Sequence, residues 1–217
     1  MQNRNNQKLN AYTFIKEKIL NCEILPGAYI NEKELIAQSN FGRTPIREAL
    51  ILLGSENFVE VRSRQGTYAK QITKKDIENL FNLRKLLEPA IAMQYKHNLS
   101  TQKLLDFDEQ MKEFCQNSQQ HKNKQLLYTL DIDFHRYIIA SSNNQCIIDT
   151  LEPLLQETYR IGIFNSLVNT ENTPEKTYEQ HKQIITALLC ENDTAIHDAF
   201  LFHLHHSLSA SLMAITE

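Results

Sequence analysis

Apolar residues at the front of the chain recur at helical spacing. Leu9, Tyr12, Ile15 and Ile19 share one face, and the pattern stops before Pro26-Gly27, a turn signal. Asn31 followed by Glu34 reads as a capping-box-like start for a short second helix through about Gln38, with Leu35 and Ile36 as its apolar contacts. A third helix is predicted from Arg43 to Ser55, with Pro45 tolerated in its first turn and Ile46, Ala49, Leu50 and Leu53 on one face. Phe58-Val59-Glu60-Val61-Arg62 then alternates apolar and polar, Ser63 to Gly66 turns, and Thr67-Tyr68-Ala69 returns as a second strand.

Three short helices and a hairpin make a winged helix-turn-helix. After Thr73 strand signals vanish, and the apolar periodicity predicts six helices over 74–96, 101–119, 122–141, 144–165, 174–191 and 193–215. Pro89 and Pro153 fall inside the first and fourth of these, where each removes a backbone hydrogen bond and is expected to kink the helix. The fold class is therefore mainly α: a winged helix-turn-helix over 1–70, a linker over 71–76, and an all-α helical bundle over 77–217. The junction Lys70 to Lys75 reads as a hinge without a stiffening device.

Charge sharpens this division. The chain carries a net −3, but residues 1–70 hold ten Lys and Arg against seven Asp and Glu, and the remainder holds thirteen against nineteen. A basic front and an acidic back suit an attached DNA-binding module, although a solvated face would also explain so small an excess. Cys22, Cys115, Cys146 and Cys190 are widely spaced with no CxxC pair and read as reduced thiols. No apolar run reaches membrane-spanning length and the N-terminus lacks a signal-peptide core, so a cytoplasmic location away from membranes is expected.

In a helix-turn-helix the second helix of the motif enters the major groove with its N-terminal residues at base edges. Arg43, Thr44 and Arg47 occupy that first turn, and Arg43 and Arg47 lie four apart on one face, where a guanidinium can fork onto guanine or clamp a phosphate. A solvent-facing helix with two arginines is the bland alternative. The segment Pro26-Gly27, Glu34-Leu35, Gly42 through Leu50 and Arg64-Gln65-Gly66-Thr67 resembles the N-terminal domain of the GntR family, and the run RTPIREAL is close to that family's signature. The resemblance implies a homodimer on palindromic double-stranded operator DNA, with contacts from Lys33, Arg43, Thr44, Arg47, Gln65 and Gly66. Family members more often have Arg at the position of Lys33. Gly42 stands where the family usually has Ser, weakening the helix cap by about a few tenths of a kcal/mol, and Asn57 replaces a usual Gly at a left-handed turn that Asn tolerates.

The bundle carries a second anomaly. Leu127, Phe134, Ile138 and Ile139 define the apolar face of its third helix, yet Asp131 and His135 lie within or beside that stripe. Their four-residue spacing lets them chelate one ion; a satisfied Asp-His hydrogen bond is the simpler reading of DxxxH taken alone. His181 repeats the pattern beside Tyr178, Ile185 and Leu188, as does His203 beside Ile196, Ala199 and Phe200. Three imidazoles and a carboxylate suit Zn, Ni, Mn or Fe, zinc foremost in protein as isolated. His97, His121 and His197 read as surface residues, and His205 and His206 as surface or secondary.

This arrangement resembles the FCD domain of the FadR-like branch of GntR regulators, from about residue 75 to the end, through Ile77, Leu80, Arg84, Glu88 and Ala92, then Asp131, Phe134, His135 and Asn144, then His181, Ile184, Ala187, Asp193, Ala195 and His203. Six helices match its shorter, VanR-like members. The resemblance implies a divalent metal on Asp131, His135, His181 and His203, and a small organic acid effector, a carboxylate or hydroxy acid, with one oxygen on the metal and its remaining charge met by Arg84 and Arg160, with Asn144 nearby. For Arg84 an ordinary ion pair with Glu88 is equally open. Asn143 and Gln180 replace a usual Gly and Glu; the latter change removes an acid beside His181. The function expected is a DNA-binding regulator controlled by that effector and not an enzyme. Two rivals stand beside it: a metal-dependent hydrolase, for which no second carboxylate is placed as base, and a regulator whose metal is purely structural.

Overall fold

The computed structural model describes residues 2–117, 123–168, 174–213 and 215. The chain separates into two compact units, residues 1–72 and 73–217.

In the first unit, α1 (Gln2–Leu20) begins earlier than the apolar pattern suggests, and its buried stripe is Ala11, Ile15 and Ile19. Leu9, expected on that stripe, is 58% exposed. Helix α2 (Glu32–Ala37) starts as the sequence predicts: Asn31 accepts from the Lys33 amide and its own amide group donates to Glu34. Helix α3 (Arg43–Ser55) buries Ile46, Ala49, Leu50 and Leu53 against α1, and Gly42 caps it without a side-chain hydrogen bond. Asn57 takes the left-handed conformation, φ 64°. Strands β1 (Val59–Arg62) and β2 (Gly66–Ala69) pair antiparallel, from Val59 opposite Ala69 to Arg62 opposite Gly66. Gly66 has φ +110°, and a Cβ there would meet the Tyr29 ring at 2.6 Å, so the wing tip needs glycine.

The second unit holds α4 (Lys74–Tyr95), α5 (Thr101–Gln116), α6 (Lys124–Ala140), α7 (Gln145–Val168), α8 (Pro174–Leu189) and α9 (Asp193–Met213). Helix α4 packs chiefly on α9, α6 on α7, and α8 on both α5 and α9. Phe107, Phe134, Ile138, Ile184, Leu188, Ile196 and Phe200 form the main core, and Ile91, Ile132, Ile139, Leu151 and Leu155 a second cluster. Helices α4 and α7 continue through Pro89 and Pro153. The junction carries a device absent from the sequence reading: Thr73 accepts from the Asp76 amide while the Asp76 carboxylate takes the Thr73 amide, a capping box that fixes the start of α4. The four cysteines are free thiols, Cys22 buried.

Candidate metal centre and nucleic-acid interface

Helix periodicity places Asp131 and His135 one turn apart on α6, and α8 and α9 bring His181 and His203 opposite them. The four candidate ligand atoms lie within 4.8 Å of one another. His181 Nε2 is 3.0 Å from Asp131 Oδ1, His203 Nε2 is 3.8 Å from the same oxygen, and His135 Nε2 is 3.1 Å from His203 Nε2. All three histidines are buried, and Phe134 lies edge-on to His135 and His181 at 5.5 and 5.2 Å.

The other face of each ring decides what the centre can hold. His181 Nδ1 is 2.8 Å from the Thr177 carbonyl, and His203 Nδ1 is 3.1 Å from Gln180 Oε1. Both partners accept, so both Nδ1 atoms donate, and in the neutral ring each Nε2 is then a lone pair. His135 Nδ1 lies 2.6 Å from Glu88 Oε2, close in distance though out of line for a hydrogen bond. His181 Nε2 is buried and faces Asp131 Oδ1, with no other polar partner among the described residues. Four donor atoms converging in this way could share one cation. Their spread is near the roughly 4 Å that opposite ligands of one ion allow at about 2.0–2.2 Å each, and the donor set fits zinc or a similar transition ion.

The electrostatics agree. Burial pushes the Asp131 carboxyl up, but the surrounding imidazoles outweigh burial and hold it well below the usual carboxylate range. Burial pushes His135 down against the opposing pull of Glu88, and pushes His203 well down, helped by its two imidazole neighbours. An ionised Asp131 beside His135 and His203 rings pushed toward their neutral forms is what metal ligation needs of those three residues.

Behind this centre stands a buried network on α4. Glu88 takes a short ion pair from Arg84 Nε and a second contact from Nη2 at 3.2 Å, while Arg84 Nη1 donates to Thr158 Oγ1 at 3.3 Å. Burial raises the Glu88 carboxyl, but Arg84 and then His135 overcome it and lower it to about 2. Glu88 thus belongs to two partners; the sequence reading gave it only Arg84. Gln180 serves His203 and not its chain neighbour His181, so the replaced acid bears on a different ligand from the one expected.

A cavity of about 50 Å³ adjoins the centre, lined by Asp131 together with Phe81, Leu127, Tyr128, Thr158, Gly162, Asn165, Thr177, Ser207, Ala210 and Ser211. A Cβ on Gly162 would lie 2.5 Å from the Tyr128 ring, which occupies the space a side chain would take. The three expected effector residues are not on this wall. Arg84 is committed to Glu88 and Thr158. Arg160, fully buried, pairs with Glu157 at 3.1 Å. Asn144 is exposed and accepts from the Cys146 amide at the start of α7, a helix-capping role. The wall residue that the sequence reading missed is Asn165, whose signal was an amide inside an apolar run of α7.

In the first unit, Lys33, Arg43, Thr44, Arg47 and Gln65 are exposed and Gly66 is partly so. Arg47 Nε pairs with Glu32 at 2.9 Å, joining α3 to α2. Arg62, also on the wing, lies over the Tyr68 ring at 4.2 Å and pairs with Glu60. His97 and His197 are exposed, as are His205 and His206; His121 lies outside the described residues. No described helix is long and apolar enough to cross a membrane.

Comparison with known proteins adds a consistent picture. A family model described as bacterial regulatory proteins, gntR family, matches residues 7–69, and one described as FCD domain matches residues 79–206. The HTH-type transcriptional repressor RspR of Escherichia coli (strain K12) is 27% identical over 212 residues, covering 95% of this chain and 89% of that protein. The HTH-type transcriptional regulator LutR of Bacillus subtilis (strain 168) is 26% identical over 205 residues, covering 86% and 92%. Among solved structures, a GntR transcriptional regulator from Rhodococcus sp. RHA1 superposes with TM-score 0.80 at 18% identity, over 97% of this chain and 100% of that one. E. coli McbR/YncC follows with TM-score 0.77 at 19% identity, over 95% and 97%. At these identities the structural likeness speaks to the fold.

Proposed function

Because the chain belongs to the GntR family of bacterial regulatory proteins and carries an FCD domain, it is a DNA-binding transcriptional regulator and not an enzyme, and we propose that a small organic acid bound at a metal ion in its helical unit sets its operator affinity. The metal is a divalent transition ion, zinc foremost, held by Asp131, His135, His181 and His203. The observation that carries this reading is the set of inward-facing lone pairs: His181 and His203 spend their Nδ1 protons on Thr177 and Gln180, leaving Nε2 atoms aimed at an ionised Asp131. The metal supplies an electrophilic anchor for a carboxylate oxygen.

The DNA interface of this reading is the first turn of α3, with Arg43, Thr44 and Arg47 at base edges or phosphates, Lys33 on the backbone and Gln65-Gly66 at the wing tip. A homodimer in the cytoplasm presents two such surfaces to a palindromic operator. Effector binding alters operator affinity by about five- to 150-fold, the reach of a coupling of about 1–3 kcal/mol. Glu88 supports a route for it: this residue touches the ligand His135 from α4, the helix that follows the DNA-binding unit in the chain. Elemental analysis of purified protein tests the centre, with about one metal per chain expected and none in an Asp131→Ala/His135→Ala double variant. Metal-free protein whose DNA binding still responds to effector overturns the proposal.

A further inference from the structure

An ion pair joins the two helices of the helix-turn-helix, and it sets the two arginines of α3 apart. Arg43 and Arg47 lie one turn from each other on the exposed stripe of α3, away from the buried Ile46, Ala49, Leu50 and Leu53. Arg43 engages no acidic side chain among the described residues. Arg47 Nε donates to Glu32 Oε2 at 2.9 Å, from the first turn of α2, with the two side chains 57% and 30% exposed. Glu34, the other acid in that turn, accepts instead from the Asn31 amide at 2.8 Å. A pair so open to water adds little to stability; its effect is on the guanidinium. That group offers a planar acceptor two donor edges, Nη1 with Nη2 and Nε with Nη2. Glu32 takes up Nε and fixes the plane, which leaves the Nη1–Nη2 edge as the fork without a partner among the described residues. Guanine presents O6 and N7 side by side in the major groove, the pair of acceptors that such a fork matches. The carboxylate also changes what the arginine attracts. At hydrogen-bond distance it offsets most of the guanidinium charge as felt from further away, so the pull on a phosphate falls while the directional N–H donors remain.

We infer that Glu32 is a positioning residue that makes Arg47 the reader of one guanine per protomer and turns it away from clamping phosphate. The inference rests on the reading of α3 as the groove-facing helix, and it goes further by giving a carboxylate of α2 a part in base selection.

The test lets the full-length wild type select its preferred sites from a pool of random-sequence duplexes. Anisotropy across a salt series then compares the selected duplex, its single-pair changes and a scrambled duplex, for the wild type, Arg47→Ala, Glu32→Ala and the double variant. The wild type should discriminate by about fivefold or more at one G·C pair, a preference that Arg47→Ala removes. Glu32→Ala should relax that same pair by about fivefold, bind the scrambled duplex more tightly and steepen the slope of log affinity against log salt by about one. In the Arg47→Ala background, Glu32→Ala should leave base preference where it was, because no guanidinium remains to be directed. Glu32→Gln, whose amide oxygen can still accept from Arg47 Nε, should lie closer to the wild type in base preference than Glu32→Ala does, while keeping the tighter scrambled binding. A full preference surviving in Glu32→Ala overturns the inference, as does a relaxation spread over all positions or one that persists without Arg47. The Arg47→Ala arm separates the two levels: if it alters binding to no duplex, the groove-facing reading of α3 falls and the inference with it. Loss of the G·C preference in Arg47→Ala but not in Glu32→Ala refutes only the part given to Glu32.

Discussion

Replacing Arg84 with Met keeps the apolar stem and deletes the guanidinium, which leaves the Glu88 carboxylate in the core with His135 as its remaining contact. Burial by itself would raise the Glu88 carboxyl, yet Arg84 and His135 bring it from an ordinary 4.5 to about 2. At about 1.36 kcal/mol per tenfold change in proton affinity, that difference corresponds to roughly 3 kcal/mol, most of it owed to Arg84 as the larger of the two opposing charges. The figure meets the roughly 3–5 kcal/mol usual for breaking a buried ion pair from one side. The sign follows from the depressed folded value: this stability is fully present above the unfolded value of 4.5 and is lost as pH falls toward 2. Urea unfolding of the helical unit at pH 7 should therefore show Arg84→Met about 2–3 kcal/mol less stable than the parent, a melting temperature lower by about 4–12 °C. The gap should narrow between pH 4.5 and 2 as the parent loses the same contribution. A variant within about 0.5 kcal/mol of the parent at pH 7, or a gap indifferent to acid, would refute the reasoning.

Gln180→Glu puts a carboxylate on His203 Nδ1 where an amide oxygen now sits, and a more basic imidazole should raise zinc affinity by about tenfold; competition against a chromophoric chelator reads it, and unchanged affinity counts against the role given to Gln180. Arg47→Ala should weaken binding to operator DNA and lower the slope of log affinity against log salt by about one. Filter binding or anisotropy across a salt series checks this, and an unaltered slope removes Arg47 from the phosphate or groove contacts.

Much of the architecture was legible because helices that bury one face repeat apolar residues every three to four positions, and α2, α3 and the hairpin add local caps and turns to that signal. The four candidate ligands were legible for the converse reason: polar groups on apolar stripes at 131, 135, 181 and 203 need a joint explanation. Leu9 misled because an apolar side chain near a helix start resembles a core position, whereas the buried stripe runs through the smaller Ala11. Arg84, Arg160 and Asn144 have partners that periodicity does not announce. Their partners, respectively Glu88 with Thr158, Glu157, and the Cys146 amide, depend on rotamers and neighbouring helices. Gln180 shows the same limit in miniature, since successive helical residues point about 100° apart and the neighbour of His181 reaches the adjacent helix. The T-x-x-D capping box at Thr73 was present in the sequence but lies in a polar junction with no apolar periodicity to mark a helix start.

Gly162 carries a consequence of a different kind. It contributes no hydrogen bond and no side chain to the cavity, yet a single added carbon would sit 2.5 Å from the Tyr128 ring and force that wall to move. The dimensions of the recess are thus written at a position chemically remote from the four candidate ligands. Under the proposed function, a lineage adapting to a different metabolite could alter the fit there while keeping the four candidate ligands intact, so divergence in specificity need leave no trace among the residues most readily recognised as functional.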